Sequence, residues 1–267
     1  MRHRPFQMVI RSFKGEKKWR SAAARVVVGL SGGESPPETA VEKIASELLV
    51  NISHPPTDLD ALAQKLGVSE VVAEDIPFSG ELRRERSELI LRYGLHLPQG
   101  RKRFTIAHEL GHAVLLRAGL SLPHKGTEVE RLCDLLASAL LMPPEVFVRS
   151  AQPICLSGVF DVARQFDVSL AAAAVRFASL LDVSLFQISG DRIQWGYGKY
   201  RRGPLSVLHP KLRFLDARSA HHGQELILMD AVLWRVEWTL REKDDSLLVL
   251  LSPKSKTPSK AAAQMLS

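Results

Sequence analysis

His108-Glu-Leu-Gly-His112 sits inside a run, from about Arg103 to Ala118, whose apolar residues recur with the helical period and which Gly119 closes. Positions four apart on a helix share one face about 6 Å apart, so both imidazoles can reach a single ion. No other feature constrains the chain as much. These residues must be helical, one face must stay open to an ion, and a further ligand must come from another element. The extension HExxHxxGxxH, which would bring a third histidine on the same helix, is absent, because Leu115 and Ala118 occupy its positions.

A catalytic zinc takes three protein ligands and keeps one position open. Glu130 is the best candidate for the third. It lies in the next helical stretch, Thr127 to Leu141, after a connection short enough to fold that helix antiparallel against the first. Asp134, one turn further along the same face, can accept the free ring N–H of a zinc-bound histidine. Two alternatives stay open: Thr127-Glu-Val-Glu130 also fits a capping box, and Glu128 is a fallback ligand. Glu109 projects off the ion-facing line and suits a general base. Cys133 is close to these residues, but its apolar neighbours read as core.

The formal charge of +7 sits in one terminal arm. Residues 1–33 hold Arg2, Arg4, Arg11, Lys14, Lys17, Lys18, Arg20 and Arg25 against Glu16 alone, and the rest of the chain is balanced. A domain that grips phosphates carries its excess on its own surface, so direct nucleic-acid binding through the basic arm is not the favoured reading. Arg25 breaks an apolar run too short for an export signal. Cys133 and Cys155 are too few for a disulfide framework. The longest apolar-rich stretch, Leu170 to Ile188, is interrupted by Arg176 and Asp182. A cytoplasmic protein with no membrane span is expected.

Before the His-containing helix, Ala40 to Leu49 and Thr57 to Leu66 read as short amphipathic helices. Leu89 to Leu97 alternate as a half-buried strand, with Val71 to Ile76 and Gly80 to Arg84 as shorter strands of a small antiparallel sheet. Val159 to Phe166 and Leu170 to Leu181 form a helix pair. Its second member is too apolar for a DNA-recognition helix, and packing is expected of it instead. Beyond Ile188 the texture is that of strands: Arg192 to Tyr197, Leu205 to Leu208, Glu225 to Met229, Trp234 to Leu240 and Ser246 to Leu251. His221-His222 lack clustered partners and read as loop residues.

Arg103-Phe-Thr-Ile-Ala-His-Glu-Leu-Gly-His112, Glu130-Arg-Leu-Cys-Asp134 and Ala139-Leu-Leu-Met-Pro143 stand in this order. Together they resemble the ImmA/IrrE family of zinc-dependent endopeptidases over roughly Thr39 to Leu181. The resemblance implies a gluzincin-like site with one catalytic Zn2+, His108, His112 and Glu130 as ligands, and Glu109 as general base. It also implies a substrate class, helix-turn-helix transcriptional repressors, whose cleavage would release stress-response or mobile-element genes. The oxyanion donor stays open among Tyr93, His124 and Arg101.

The expected fold class is α+β, with a zincin-like helical core, a small antiparallel sheet and a small β-rich C-terminal module. The expected organisation is a basic flexible arm and linker over 1–38, a zincin-like metallopeptidase domain over 39–188, an accessory module over 189–252 and a disordered tail over 253–267. The competing reading is a non-catalytic regulatory protein that binds a repressor or nucleic acid and carries only a structural zinc.

Overall fold

The computed structural model describes residues 19–253, except 34, 121–125, 182, 199–202, 217–221, 231 and 242–244, with backbone alone at 203, 205, 213, 214 and 216. The fold is α+β, with eight α-helices and two sheets among the described residues. The described residues divide into two compact units, one comprising residues 19–151 with 160–173, the other 152–159 and the residues from 174 on. None of the described helices is long and apolar enough to cross a membrane.

The first unit opens with α1 (Ala22–Leu30), α2 (Pro37–Leu48) and α3 (Leu59–Lys65). The expectation of a flexible arm and linker over 1–38 is corrected where the chain is described. Ser21 caps α1 by accepting the Ala24 N–H at 3.1 Å, and Ala23, Ala24 and Val27 are buried. The linker ends instead in helix, with Pro37 at the first position of α2. Asp58 caps α3, while the buried Thr57 hydroxyl donates to the Leu140 carbonyl at 2.7 Å.

The small sheet contains β1 (Val68–Glu74), β2 (Gly80–Glu85) and β3 (Glu88–Gly94) in the order β1-β3-β2. It is mixed, which corrects the expected antiparallel arrangement: β3 runs antiparallel to β2 and parallel to β1. The two-residue turn at Arg86-Ser87 sends β3 back along β2, and β3 then fills the slot beside β1. Alternation along a strand reports which face is buried and carries no information about which neighbour pairs with it. Strand β2 is left at the edge.

Helix α4 (Gln99–Arg117) starts a turn earlier than its sequence period suggests, and α5 (Thr127–Leu141) follows. Pro143-Pro144 stops α5 and at once begins α6 (Pro144–Ser150), since proline at the first helical position lacks only an N–H that has no partner there. Helices α7 (Leu156–Gln165) and α8 (Leu170–Leu180) complete the helical set, and the backbone of Val168-Ser169 packs against Gly100 of α4 so closely that a β-carbon there would lie 2.8 Å from the Ser169 nitrogen.

The other unit is built on an antiparallel six-stranded sheet, ordered β6-β5-β4-β9-β8-β7. Its strands are β4 (Ser184–Ser189), β5 (Arg192–Tyr197), β6 (Gly203–Pro204), β7 (His222–Met229), β8 (Val232–Arg241) and β9 (Ser246–Pro253). Strand β4 lies in the apolar run that reads from sequence as helix and its aftermath, because a strand buried on both faces shows no alternation. Leu205 to Leu208, expected as strand, is a 3-10 turn over Leu205–Val207. Phe186, Ile193, Val236, Val249 and Leu251 form the core of this unit.

Candidate metal centre

The site is made where α4 and α5 touch. Gly111 lets them close: a β-carbon there would lie 3.1 Å from Cys133 Cα and 3.2 Å from Cys133 Cβ. A larger residue would therefore wedge the helices apart. The helices run antiparallel, because His108 reaches both Asp134 and Glu130 while His112, one turn on, reaches only back to Glu130.

The two imidazole rings are 5.2 Å apart between centroids and inclined at 67°. His108 Nε2 is 3.3 Å from Glu130 Oε2, and His112 Nε2 is 3.8 Å from Glu130 Oε1. Ligand atoms about 2.0–2.1 Å from a tetrahedral zinc stand about 3.3 Å from one another. The donor set therefore fits such an ion. His108 Nδ1 meets Asp134 Oδ1 at 2.9 Å, so that with an ion bound Asp134 would hold the proton on Nδ1 and leave Nε2 to the metal.

The structure thus brings His108, Glu109, His112, Glu130 and Asp134 together. The capping-box reading of Glu130 is not realised, since the N-cap is Gly126 and makes no side-chain cap. The Glu128 carboxylate is taken up by the backbone N–H groups of Arg20 and Ser21. Cys133 is fully buried, as its neighbours indicated, yet its sulfur also lies within 4.8 Å of donor atoms of His108 and His112. Burial first, and the carboxylates of Glu130, Glu109 and Asp134 after it, push its thiol well above the usual range. Glu130, which faces both Nε2 atoms and is held below its ordinary pKa chiefly by its hydrogen bond from His108, is a carboxylate that could serve as the third donor.

Electrostatics set these groups apart. Burial by itself would lower the His108 pKa. Hydrogen bonds to Asp134 and Glu130 and the charges of Asp134 and Glu109 outweigh it and raise the pKa to about 10. Glu109 is pushed up to about 7, mainly by burial, against the lowering effects of the His108 charge and the Leu82 backbone N–H that donates to it. Such a carboxyl is poised to exchange protons near neutrality.

Strand β2 passes over Glu109. Gly80 makes this approach feasible, as a β-carbon would meet Thr105 Cγ2 at 2.5 Å and Glu109 Cγ at 3.4 Å. Neither this glycine nor Leu82 stood out in the sequence, because their role depends on a strand crossing a helix. Tyr93 pairs with Gly80 in register and so shares its face of the sheet, half-buried. Arg101 donates to Ser79 Oγ at 3.1 Å, just ahead of β2. His124 lies outside the described residues.

Residues 75–178 match the IrrE N-terminal-like domain of the Peptidase M78 family. The radiation response metalloprotease IrrE of Deinococcus radiodurans is 37% identical over 84 residues, which are 27% of this chain and 26% of that protein. The chain thus spans about a quarter of the relative's length. A solved structure, a Mycobacterium tuberculosis transcriptional regulator, shares the fold with a TM-score of 0.50 over 82% of this chain and 88% of its own, at 16% identity. The segment that holds the paired histidines, Glu109, Glu130 and Asp134 is thus the part of this chain that is similar to the IrrE N-terminal-like domain.

Proposed function

We propose that the protein is a cytoplasmic zinc endopeptidase that cuts a helix-turn-helix transcriptional repressor and so releases the stress-response or mobile-element genes it silences. The observation that carries this reading is the position of the Glu130 carboxylate. It faces both histidine Nε2 atoms at 3.3 and 3.8 Å, while Glu109 remains outside that donor set. A zinc that merely stapled two helices would close its fourth position with protein and would need no buried glutamate at 109.

His108, His112 and Glu130 would hold the ion, and Asp134 would fix the His108 tautomer. When bound, the ion supplies Lewis acidity and a water that ionises near neutral pH. Glu109 takes the proton of the attacking water and passes it to the leaving amine, a role suited to a buried carboxyl whose pKa is raised to about 7. The Leu82 N–H orients it. The free edge of β2 can accept an extended peptide as an added strand, which lays its backbone across Glu109. Tyr93, on the same face, is the described candidate for stabilising the oxyanion. In this reading the unit that holds α4 and α5 is a zincin-like peptidase domain and the unit built on the six-stranded sheet an accessory module that selects or regulates.

The test is metal content followed by co-expression with helix-turn-helix repressors. About one zinc per chain, lost in His112→Ala, together with repressor cleavage by the wild type and not by zinc-loaded Glu109→Gln, is the expected result. Cleavage by zinc-loaded Glu109→Gln would overturn Glu109 as the general base, and repressor control that survives in that variant without cleavage would instead establish a non-catalytic binding protein.

A further inference from the structure

The first turn of α5 carries Glu130, yet the helix itself does little to secure it. Its N-cap, Gly126, has φ 139° and no capping side chain, and the Glu130 side chain is 53% exposed. Terminal turns with unsatisfied N–H groups fray, and a site even 1 Å too loose loses its function.

A second set of contacts grips the same turn from another side. The N–H groups of Arg20 and Ser21 donate to Glu128 Oε2 at 3.0 and 2.8 Å. Trp19 Nε1–H donates to Glu38 Oε1 at 2.9 Å, and Arg131 Nη2 donates to the same oxygen at 3.0 Å. The Arg131 guanidinium carbon stands 4.1 Å from the centre of the Trp19 ring. Glu128 and Arg131 lie on either side of Glu130 in sequence, and at about 100° per residue Arg131 points about 100° and Glu128 about 160° away from Glu130. One face of the turn therefore meets the histidines while the other is tied to the segment ahead of α1.

We propose that Trp19, Arg20 and Ser21 form a positioning latch that, through Glu128 and Arg131, holds Glu130 opposite the two histidines and thereby sets the metal affinity. The proposal rests on Glu130 being a metal ligand. It gives this part of the basic N-terminal region a purpose other than nucleic-acid contact.

Zinc affinity by chelator competition and the visible spectrum of the cobalt(II) form test this in the full chain. Trp19→Ala and Glu128→Ala are expected to weaken zinc binding about tenfold or more and to shift the cobalt band, as loss of supporting contacts around a metal does. Trp19→Phe, which keeps a ring beneath Arg131, is expected to recover most of both. A merely structural segment would lower the thermal midpoint of the metal-free protein and leave the cobalt band in place. Unchanged affinity and spectrum in both alanine variants overturn the latch and spare the metal site. Wild-type protein that binds no more metal than His112→Ala overturns both. Should Glu128→Ala fail to fold, Glu128→Gln, which keeps the size and loses the charge, decides by the same readouts.

Discussion

The α4–α5 contact and the six-stranded sheet both bury polar groups, and they treat them differently. In the sheet, the buried Gln187 and Glu237 side chains are each answered by partners. Gln187 accepts from Trp195 and donates to Ser246 Oγ at 2.6 Å, and Glu237 pairs with Arg235 at 3.0 Å and accepts the Leu156 N–H at 2.8 Å. In the helix pair, Glu109, Glu130 and Asp134 crowd around two imidazoles, and burial raises Glu109 to about 7. The sheet spends its polar groups on stability. The helix pair gathers three carboxylates beside two imidazoles and leaves Glu109 raised to about 7, which is how a binding site differs from a core.

The contrast can be broken at either end. Glu109→Gln should lower the cleavage rate by about 10²–10⁴ while leaving zinc content unchanged, the range expected for loss of a general base. Phe186→Ala, in the core of the sheet unit, should cost about 3–5 kcal/mol in denaturant unfolding without altering zinc affinity. A loss of metal in that variant would mean that the two regions are not independent. Asp134→Asn should weaken zinc about 10–100-fold, because His108 loses the acceptor that fixes its tautomer. Gly111→Ala should weaken it by up to about tenfold, as the added methyl meets Cys133 at 3.2 Å and α5 must shift.

The smallest effect is on pH dependence, and its sign is set. The folded-state pKa of His108 is raised from 6.5 to about 10, so its stabilisation of the metal-free protein is complete below pH 6.5 and lost as pH rises through about 10. Glu109, raised from 4.5 to about 7, acts in the same sense at lower pH: its contribution is complete below 4.5 and lost as pH rises through about 7. Unfolding of the metal-free protein followed from pH 5 to 10 should show stability falling, and less steeply above neutrality in Asp134→Asn.

Much of the site was legible because its chemistry is local. Two histidines one turn apart, a glutamate between them, and Glu130 with Asp134 one turn apart on the next helix are all short-range spacings. The choice between Glu130 as ligand and as cap leaned to ligand but was not closed in the sequence, since Thr127-Glu-Val-Glu130 fits a capping box as well. It turned on Gly126 taking the N-cap position. Helix α1 was missed because the basic residues ahead of it, with Arg25 inside it, suggested a solvated arm. What makes it helix is the Ser21 cap and the burial of Ala23, Ala24 and Val27 in the folded chain.

The amino-acid sequence by itself determined the helical period of α4 and α5, the spacing of the donor atoms and the α+β mixture, because these depend on residues within a few turns of one another. Only the tertiary structure decided that β3 lies between β1 and β2, that β4 joins β9, that Gly80 clears the way for β2 above Glu109, and that Trp19 to Ser21 meet Glu128 and Arg131. Each of those is a contact between residues far apart in the chain, where periodicity says which face is buried and is silent about what covers it.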